Sequence, residues 1–163
     1  MNEVLFHPIP PVYDQNSRIL ILGTFPSPKS RESGFFYGHP QNRFWKVISR
    51  VLNWKLPESI NEKKEMLISN RIALWDVIAS CEITGADDGS IRNPKPNPIE
   101  KILLQSEVKA IFSTGKKSFH LYRKLIYPRT AIPSNYLPSP SPANCKISLD
   151  ELVRAYDAIL PWL

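Results

Sequence analysis

The sequence predicts an α/β domain built on a mainly parallel sheet of four strands. Short, continuous apolar runs, typical of strands covered on both faces, alternate four times along the chain with segments of helical periodicity. This alternation favours parallel strands joined by right-handed helical crossovers. The 163 residues contain no repeat, no low-complexity tail and no dividing linker, so we expect a single domain over residues 1–163.

The first predicted strand runs from Ile19 to Leu22 and ends at Gly23. Ligands of open α/β sheets bind beyond the carboxyl ends of the strands. The segment that follows, from Gly23 to Gln41, is rich in Gly, Pro and Ser and also carries several aromatic residues. We therefore expect this loop to contain the functional chemistry.

Two helices and a second strand are predicted next. Apolar residues at helical spacing predict a helix from Asn42 to Leu52. A capping-box pattern at Ser59–Glu62 predicts a second helix near residues 60–69. The apolar run from Ile72 to Ile78 predicts the second strand, with Asp76 near its exit.

The polar stretch from Ser80 to Asn97 predicts a long loop, because Gly and Pro recur in it. Asn97 and Pro98 form a helix-start signal, which predicts a helix to about Leu104. A third strand is expected over Val108–Ser113 and a helix over Gly115–Ile126.

The last part of the chain predicts one more strand and one more helix. Ala131–Leu137 is expected to form a short fourth strand that runs into the Pro-rich segment LPSPSPAN. Ser148 and Glu151 form a second capping-box pattern, which predicts a carboxy-terminal helix to about Leu160.

Composition narrows the function classes. The 21 Lys and Arg residues against 15 Asp and Glu residues give a net charge of +6, which suits a polyanionic partner and equally an ordinary basic protein. The two cysteines, Cys81 and Cys145, do not provide an iron–sulfur cluster or a CxxC pair, and the ligand pattern of zinc deaminases is missing. No secretory signal or long apolar span is apparent, so we expect a cytoplasmic protein without a membrane partner.

Three motifs carry a family resemblance: GTFPS at residues 23–27, FYGHPQNRFW at 36–45 and LPSPSPAN at 137–144. The second motif closely resembles a segment of mismatch-specific uracil-DNA glycosylases. HPIPPVYD, at residues 7–14, together with ILILGTFPS resembles the hypoxanthine-DNA glycosylase branch of the same superfamily. The match covers the first third and the last quarter of the chain and is weaker between them.

The resemblance implies a three-layer α/β/α sandwich that flips a damaged base out of double-stranded DNA and hydrolyses its N-glycosidic bond. Hypoxanthine is the expected base, and the product is an abasic site. The resemblance implies no cofactor and no metal. Since no lysine stands in a recognisable Schiff-base motif, we expect a monofunctional enzyme, acting as a monomer.

One departure from the family pattern concerns the catalytic residue. Mismatch-specific uracil enzymes carry an asparagine in the first loop that positions the attacking water, whereas this chain has Phe25 there. The hypoxanthine branch also lacks that asparagine, and its functional asparagine corresponds to Asn42. From local sequence alone the favoured role of Asn42 is that of a helix cap, and the resemblance reverses this preference. If a carboxylate is needed instead, Asp76 is the first candidate, ahead of Asp87 and Asp88.

The expected base pocket combines hydrogen-bond donors with an aromatic surface. Backbone amides of the first loop and the side chain of His39 would stabilise negative charge on the departing base. The resemblance places Tyr37 as the stacking surface, with Phe25 as a second candidate. His39 is alternatively an ordinary loop histidine, and the aromatic residues are alternatively core. The full predicted set is Gly23, Thr24, Phe25, Pro26, Ser27, Tyr37 and His39.

The LPSPSPAN segment is the expected DNA-contacting loop. Its hydroxyls and amides suit phosphate groups, and its prolines stiffen it for insertion into DNA. Alternatively it is a Pro-rich surface turn, Asn144 merely ends the loop, and Lys116 lies on a solvated helix face. The predicted DNA-binding set is Ser139, Pro140, Ser141, Pro142, Asn144 and Lys116.

Two other functions remain open from the sequence. A uracil or thymine-mismatch preference would use the same fold and the same second motif. A non-catalytic damaged-DNA-binding module would explain the missing first-loop asparagine.

Overall fold

The structure is a computed structural model that describes residues 3–163. It contains two sheets and a series of short helices. The strands are β1 Val4–Phe6, β2 Ile19–Gly23, β3 Ile72–Asp76, β4 Ile78–Thr84, β5 Asp87–Pro96, β6 Ala110–Thr114 and β7 Ser134–Leu137. The helices are α1 Pro28–Ser33, α2 Phe44–Val51, α3 Ile60–Ser69, α4 Ile99–Leu104, α5 Lys116–Leu125, α6 Tyr127–Thr130 and α7 Leu149–Tyr156, followed by a 3₁₀ helix over Asp157–Trp162.

A four-stranded sheet with the order β3-β2-β6-β7 forms the centre of the molecule, and all its neighbouring strands are parallel. This confirms the sheet that the alternation of apolar and helical segments predicts. β2 is buried along its whole length and lies between β3 and β6. Its carboxyl end, at Gly23, therefore lies at the middle of the sheet edge.

Two apolar clusters cover the opposite faces of this sheet. Ile19 and Ile21 of β2 belong to a cluster with α2, α3 and α7, whereas Leu20 and Leu22 belong to a cluster with α4 and α5. The alternation follows from the two-residue period of a strand. The arrangement confirms the three-layer α/β/α sandwich. Each layer of helices packs on its own face of the sheet and forms a separate apolar core there.

The prediction of a long loop over residues 80–97 is wrong. β4 and β5 form an antiparallel hairpin there, and β1 completes a second sheet with the order β1-β4-β5. The Gly and Pro residues that suggested a loop are accommodated by this hairpin. Gly85, at φ +58°, makes its turn, and Pro94 and Pro96 lie on an edge strand, where a missing N–H is tolerated.

The single strand predicted over Ile72–Ile78 is also wrong, because the chain changes sheets within it. β3 ends at Asp76 and β4 begins at Ile78. Asn97 holds this break: its side-chain Nδ2 donates to the carbonyls of Asp76 and Ile78, at 2.9 and 3.1 Å. The break lets the carboxyl end of β3 remain at the parallel sheet while the hairpin leaves it.

Two helices lie where the sequence predicts none. α1 begins after Ser27, whose hydroxyl accepts from the amide of Ser30, and ends at Gly34 in the left-handed conformation. α6 spans only four residues. Neither helix is long enough to show apolar periodicity, which is the signal used for the others. In addition, α2 begins at Phe44 instead of Asn42, and the last helix becomes a 3₁₀ helix after Tyr156.

Among residues 3–163, every helix is too short or too polar to cross a bilayer.

Candidate active site at the carboxyl edge of the parallel sheet

A cavity of about 140 Å³ lies where the carboxyl ends of β2, β3 and β6 meet. Its wall combines parts of the chain that are far apart in sequence. The lining residues are Gly23, Thr24, Phe25, Pro26, Ser27, Ser30, Phe36, Tyr37, Asn42, Asp76, Ile83, Ala86, Asp88, Thr114, Ser139, Pro140 and Ser141. The edge predicted to bind a ligand therefore carries a concave site.

The structure brings most of the predicted residues together. The first loop, Gly23–Ser27, lies in the wall with Tyr37, Asn42 and Ser139–Ser141. His39 is not in the wall. It belongs to a turn, in which its Nδ1 accepts from the amide of Gln41 at 3.1 Å and its carbonyl accepts from the amide of Asn42.

Three residues of the predicted DNA-binding set also lie outside the wall, namely Pro142, Asn144 and Lys116. Lys116 is exposed at the start of α5. It follows Gly115, where a Cβ atom would lie 3.3 Å from the Cβ of Ser139. The start of α5 is therefore packed against the Pro-rich loop, and Lys116 lies beside that loop.

Gly23 is required by the close packing of two polar side chains. A Cβ atom at this position would lie 2.5 Å from Oδ1 of Asp76 and 3.1 Å from the hydroxyl of Tyr37. Such short distances leave no room for a larger residue. Gly23 thus allows Asp76 and Tyr37 to meet over the end of β2, at the floor of the cavity.

The first loop uses its carbonyls in the fold and leaves amides unused. The carbonyls of Gly23 and Thr24 accept from the amides of Val77 and Ile78, at 2.8 and 3.1 Å. The amides of Phe25 and Ser27, by contrast, donate to no other described residue. Unpartnered amides in a cavity wall are donors for a ligand that carries negative charge.

Tyr37 is held in a defined position beside the floor. Its backbone adopts φ +53°, its ring stacks on Phe44 with centroids 4.0 Å apart, and its hydroxyl lies 3.1 Å from Oγ1 of Thr114. Burial and the nearby charge of Asp76 raise the pKa of Tyr37 well above its ordinary value, although the Thr114 bond opposes this. The phenol therefore stays protonated and neutral.

Asn42 serves the helix and the cavity wall together. Its Oδ1 accepts from the amide of Phe44 at 2.9 Å, which stabilises the first turn of α2. The residue is partly buried and lines the cavity. Its Nδ2 has no hydrogen-bond partner among the described residues. Capping is thus a feature of the structure, and the catalytic role stays a prediction.

Arg43 fixes the Pro-rich loop to the start of α2, a role that sequence reasoning missed. Its guanidinium donates to the carbonyls of Ile147 and Asn144, at 2.6 and 2.9 Å, and its amide donates to the carbonyl of Pro140 at 3.1 Å. Nothing in the local sequence signals these contacts, because their acceptors are backbone atoms about a hundred residues away. Arg43 therefore ties the second motif to the third.

Asn144 makes its hydrogen bonds inside the same loop. Its Nδ2 donates to the carbonyl of Ser139 at 3.0 Å, and its amide donates to the carbonyl of Ser141 at 2.9 Å. These bonds shape the loop, as expected if Asn144 ends it. Contact with DNA stays a prediction for this residue.

A buried His7–Asp76 pair lies beneath the cavity, and His7 was also missed as a site residue. The ring Nε2 of His7 lies 2.7 Å from Oδ2 of Asp76, and the two side chains are 3% and 6% exposed. His7 lies directly after the short strand β1, which no sequence signal predicted. The fold thus gives Asp76 a partner from the far end of the chain.

The β4–β5 hairpin forms one wall of the cavity through Ile83, Ala86 and Asp88. Asp88 is exposed and lines the cavity, and desolvation raises the pKa of its carboxyl group. The Thr24 hydroxyl and Lys117 lower that pKa, while the charges of Asp76 and Asp87 raise it further.

Within residues 3–163, the structure contains no cluster of His, Cys, Asp or Glu side chains able to hold a metal ion.

Comparison with known proteins relates most of the chain to one family. The family model of the uracil DNA glycosylase superfamily matches residues 10–159. A protein of Methanosarcina barkeri (strain Fusaro / DSM 804) named hypoxanthine DNA glycosylase is 36% identical over 112 residues, which cover 67% of this chain and 70% of the relative. A protein of the same name from Methanosarcina acetivorans is 33% identical over 141 residues, 85% of this chain and 88% of the relative.

A solved structure shares the same fold. It is the solution NMR structure of a Methanosarcina acetivorans protein described as a candidate uracil DNA glycosylase. The two chains are 26% identical and superpose with a TM-score of 0.80 over 97% of this chain and 99% of the other.

Proposed function

This chain belongs to the uracil DNA glycosylase superfamily, and from that premise we propose that it is a monofunctional DNA glycosylase of base-excision repair. It flips a deaminated base out of DNA and hydrolyses the N-glycosidic bond, leaving an abasic site. Hypoxanthine is the proposed base, since two relatives at 36% and 33% identity are named for it.

The observation that carries the proposal is the meeting of three distant motifs in one cavity. The first loop, the pair Tyr37 and Asn42, and the Ser139–Ser141 loop all line it. An enzyme that acts on a flipped nucleotide needs a closed pocket for the base and a surface beside it for the DNA backbone. The floor at Gly23 and the rim at Ser139–Ser141 suit these two tasks.

The chemistry suits stabilisation of the departing base. Breaking the bond from C1′ to the base nitrogen leaves negative charge on the base and positive charge on the sugar. The unpartnered amides of Phe25 and Ser27 are donors for the former. Asn42 orients a water molecule toward C1′ in this proposal, and its contribution comes from orientation because an amide is a negligible base.

The DNA backbone is assigned to the Pro-rich loop and the start of α5. Ser139 and Ser141 line the rim, and exposed Lys116 lies beside them. Phosphate contacts from such residues position a protein on DNA without reading its sequence. We propose that the bound DNA is double-stranded, that the protein acts as a monomer, and that it works in the cytoplasm.

The test is abasic-site formation on matched duplexes that contain one hypoxanthine, uracil, xanthine or thymine mismatch. Release of hypoxanthine ahead of the others supports the proposal. Preferred release of uracil or mismatched thymine would instead favour the mismatch-specific alternative. Tight binding to lesion duplexes without release of any base would favour the non-catalytic damaged-DNA-binding module.

A further inference from the structure

The buried His7–Asp76 pair leaves one oxygen of the Asp76 carboxylate without a partner among the described residues. Asp76 is the last residue of β3 and is 4% exposed, and its Oδ2 lies 2.7 Å from Nε2 of His7. A buried carboxylate needs compensating hydrogen bonds on both oxygens, or its desolvation is costly. Only Oδ2 has a partner among the described residues.

The tautomer of His7 is fixed by the backbone. The amide of Ile9 donates to Nδ1 of His7 at 3.2 Å, so Nδ1 is an acceptor and Nε2 carries the proton. Nε2 therefore donates to Oδ2 of Asp76. The rings of Phe25, Phe36 and Trp75 surround the imidazole, with centroids 5.9 to 6.3 Å away. This aromatic cage keeps the ring in place.

The other oxygen of Asp76 is left for a ligand. Oδ1 lies over the end of β2, 2.5 Å from where a Cβ atom on Gly23 would be. It accepts no hydrogen bond from a described residue, and it is not sealed from the cavity, which Asp76 lines. His7 thus directs one acceptor into the pocket and holds the other outside it.

Depth in the cavity indicates which part of a nucleotide this acceptor meets. Asp76 and Thr114 are 4% and 6% exposed, whereas Asn42 and Ser141 are partly exposed. A flipped nucleotide enters with its base first and its sugar at the mouth. Asp76 therefore lies at the depth of the base, and Asn42 lies at the depth of the sugar.

We infer that Asp76 is a specificity-determining residue that reads the base through its ring N–H, and that His7 is the residue that positions it. This inference rests on the proposed function. The acceptor pairs with N1–H of hypoxanthine or xanthine and with N3–H of uracil. Adenine and cytosine present a lone pair at these ring positions, so they are rejected. Guanine and thymine also carry a ring N–H at these positions, so the shape of the pocket must exclude them.

The decisive variant is Asp76→Asn, which preserves the shape of the side chain. His7 Nε2–H then takes the amide oxygen, so the amide nitrogen points into the pocket and the acceptor becomes a donor. We expect the affinity for a hypoxanthine nucleotide to fall by about 10²-fold or more, because a site built around a hydrogen bond strongly rejects a mismatched partner. Adenine should gain relative to hypoxanthine.

A second variant tests His7 itself. In the double variant with His7→Phe and Asp76→Asn, nothing fixes the amide orientation, so its oxygen can turn into the pocket. We expect part of the hypoxanthine affinity to return. A merely structural role for His7 predicts no rescue, since the double variant would then be worse than Asp76→Asn alone. Melting curves are measured for each variant to check that it is folded.

The measurement is equilibrium binding to duplexes that contain non-cleavable 2′-fluoroarabino forms of deoxyinosine or deoxyadenosine, with Asp150→Asn as the control. Asp150 is an exposed carboxylate that pairs with Arg50, away from the cavity. Selective loss of inosine binding with rescue in the double variant supports the inference. It is overturned if Asp76→Asn binds both analogues like the wild type, even with hydrolysis abolished, since Asp76 would then act on water. It is also overturned if rescue fails.

Because the binding assay requires no catalysis, it tests this inference independently of the proposed function. A wild type that releases no hypoxanthine contradicts that function, while the affinities of the same proteins still test Asp76 and His7. A wild type that binds the inosine and adenosine analogues equally overturns the inference.

Discussion

Replacing Asn42 separates its two roles. In Asn42→Ala both the hydrogen bond to the Phe44 amide and the carboxamide in the cavity wall are lost. In Asn42→Ser a hydroxyl remains to accept from the helix amide, since serine also caps helices, but it is too short to replace the carboxamide in the cavity. The pair of variants therefore removes the site group with and without the helix cap.

The expected magnitudes differ for stability and for catalysis. Loss of the cap in Asn42→Ala lowers the free energy of unfolding by about 1 kcal/mol, which corresponds to a fall in Tm of roughly 2–4 °C for a domain of this size. Asn42→Ser should melt close to the wild type. If Asn42 orients the attacking water, both variants lose activity by about 10²-fold, because a misplaced reactant costs that much.

The assay is single-turnover formation of abasic sites in a hypoxanthine duplex, with DNA affinity and melting curves measured on the same samples. Equal loss of rate in both variants, with affinity retained, supports the catalytic role. An Asn42→Ser variant as active as the wild type would refute the reasoning, because it would make Asn42 a cap alone.

Three further predictions address the floor, the rim and the hairpin wall. Gly23→Ala should abolish base release in the abasic-site assay, because its Cβ would collide with Asp76 Oδ1 and crowd the Tyr37 hydroxyl; a fully active variant would show that the floor can relax. Lys116→Ala should weaken binding to lesion and undamaged duplexes alike and reduce the salt slope by about 1 if it contacts a phosphate; an unchanged slope would leave Lys116 solvated. The pKa of Asp88 is raised in the folded state. Its ionised carboxylate is therefore less favourable in the folded state than in the unfolded state, and it lowers stability as the pH rises above the ordinary Asp range. Asp88→Asn should therefore melt higher than the wild type near pH ~7 and lose this advantage near pH ~4, and equal melting at both pH values would contradict the shift.

The sequence predicts the parallel sheet well because buried parallel strands have a simple signature. Ile19–Leu22 and Ala110–Phe112 are apolar without interruption, and each is followed by a segment that begins with a polar residue or a glycine. The edge of the sheet then follows from topology. Since the carboxyl ends of parallel strands meet there, the first loop had to lie in the site.

The hairpin could not be predicted in the same way. Its outer strand, Asp87–Pro96, is mostly exposed and contains two prolines, so it lacks both apolar alternation and strand propensity. Pairing with β4 decides its structure, and such pairing is a tertiary effect. The sequence left the approach of Asp88 to the pocket open for the same reason.

His7 and Arg43 were missed because their importance lies in distant partners. His7 acts on Asp76 across 69 residues, and Arg43 holds carbonyls more than 100 residues away. Both residues lie in segments that carry the family resemblance, but that resemblance assigned them no role. Long-range hydrogen bonds of this kind are visible only once the fold is known.

Because the chain changes sheets between Asp76 and Ile78, the pocket is built from two parts, the parallel sheet and the β4–β5 hairpin. The parallel sheet carries the floor through Gly23, Asp76 and Thr114, while the hairpin supplies a separate wall through Ile83, Ala86 and Asp88. Because Asn97 anchors the base of the hairpin, its tip can accept substitutions or a different length without disturbing the strands beneath. Substitutions at the hairpin tip are therefore expected to change which bases enter the pocket, while the residues on the parallel sheet stay in place.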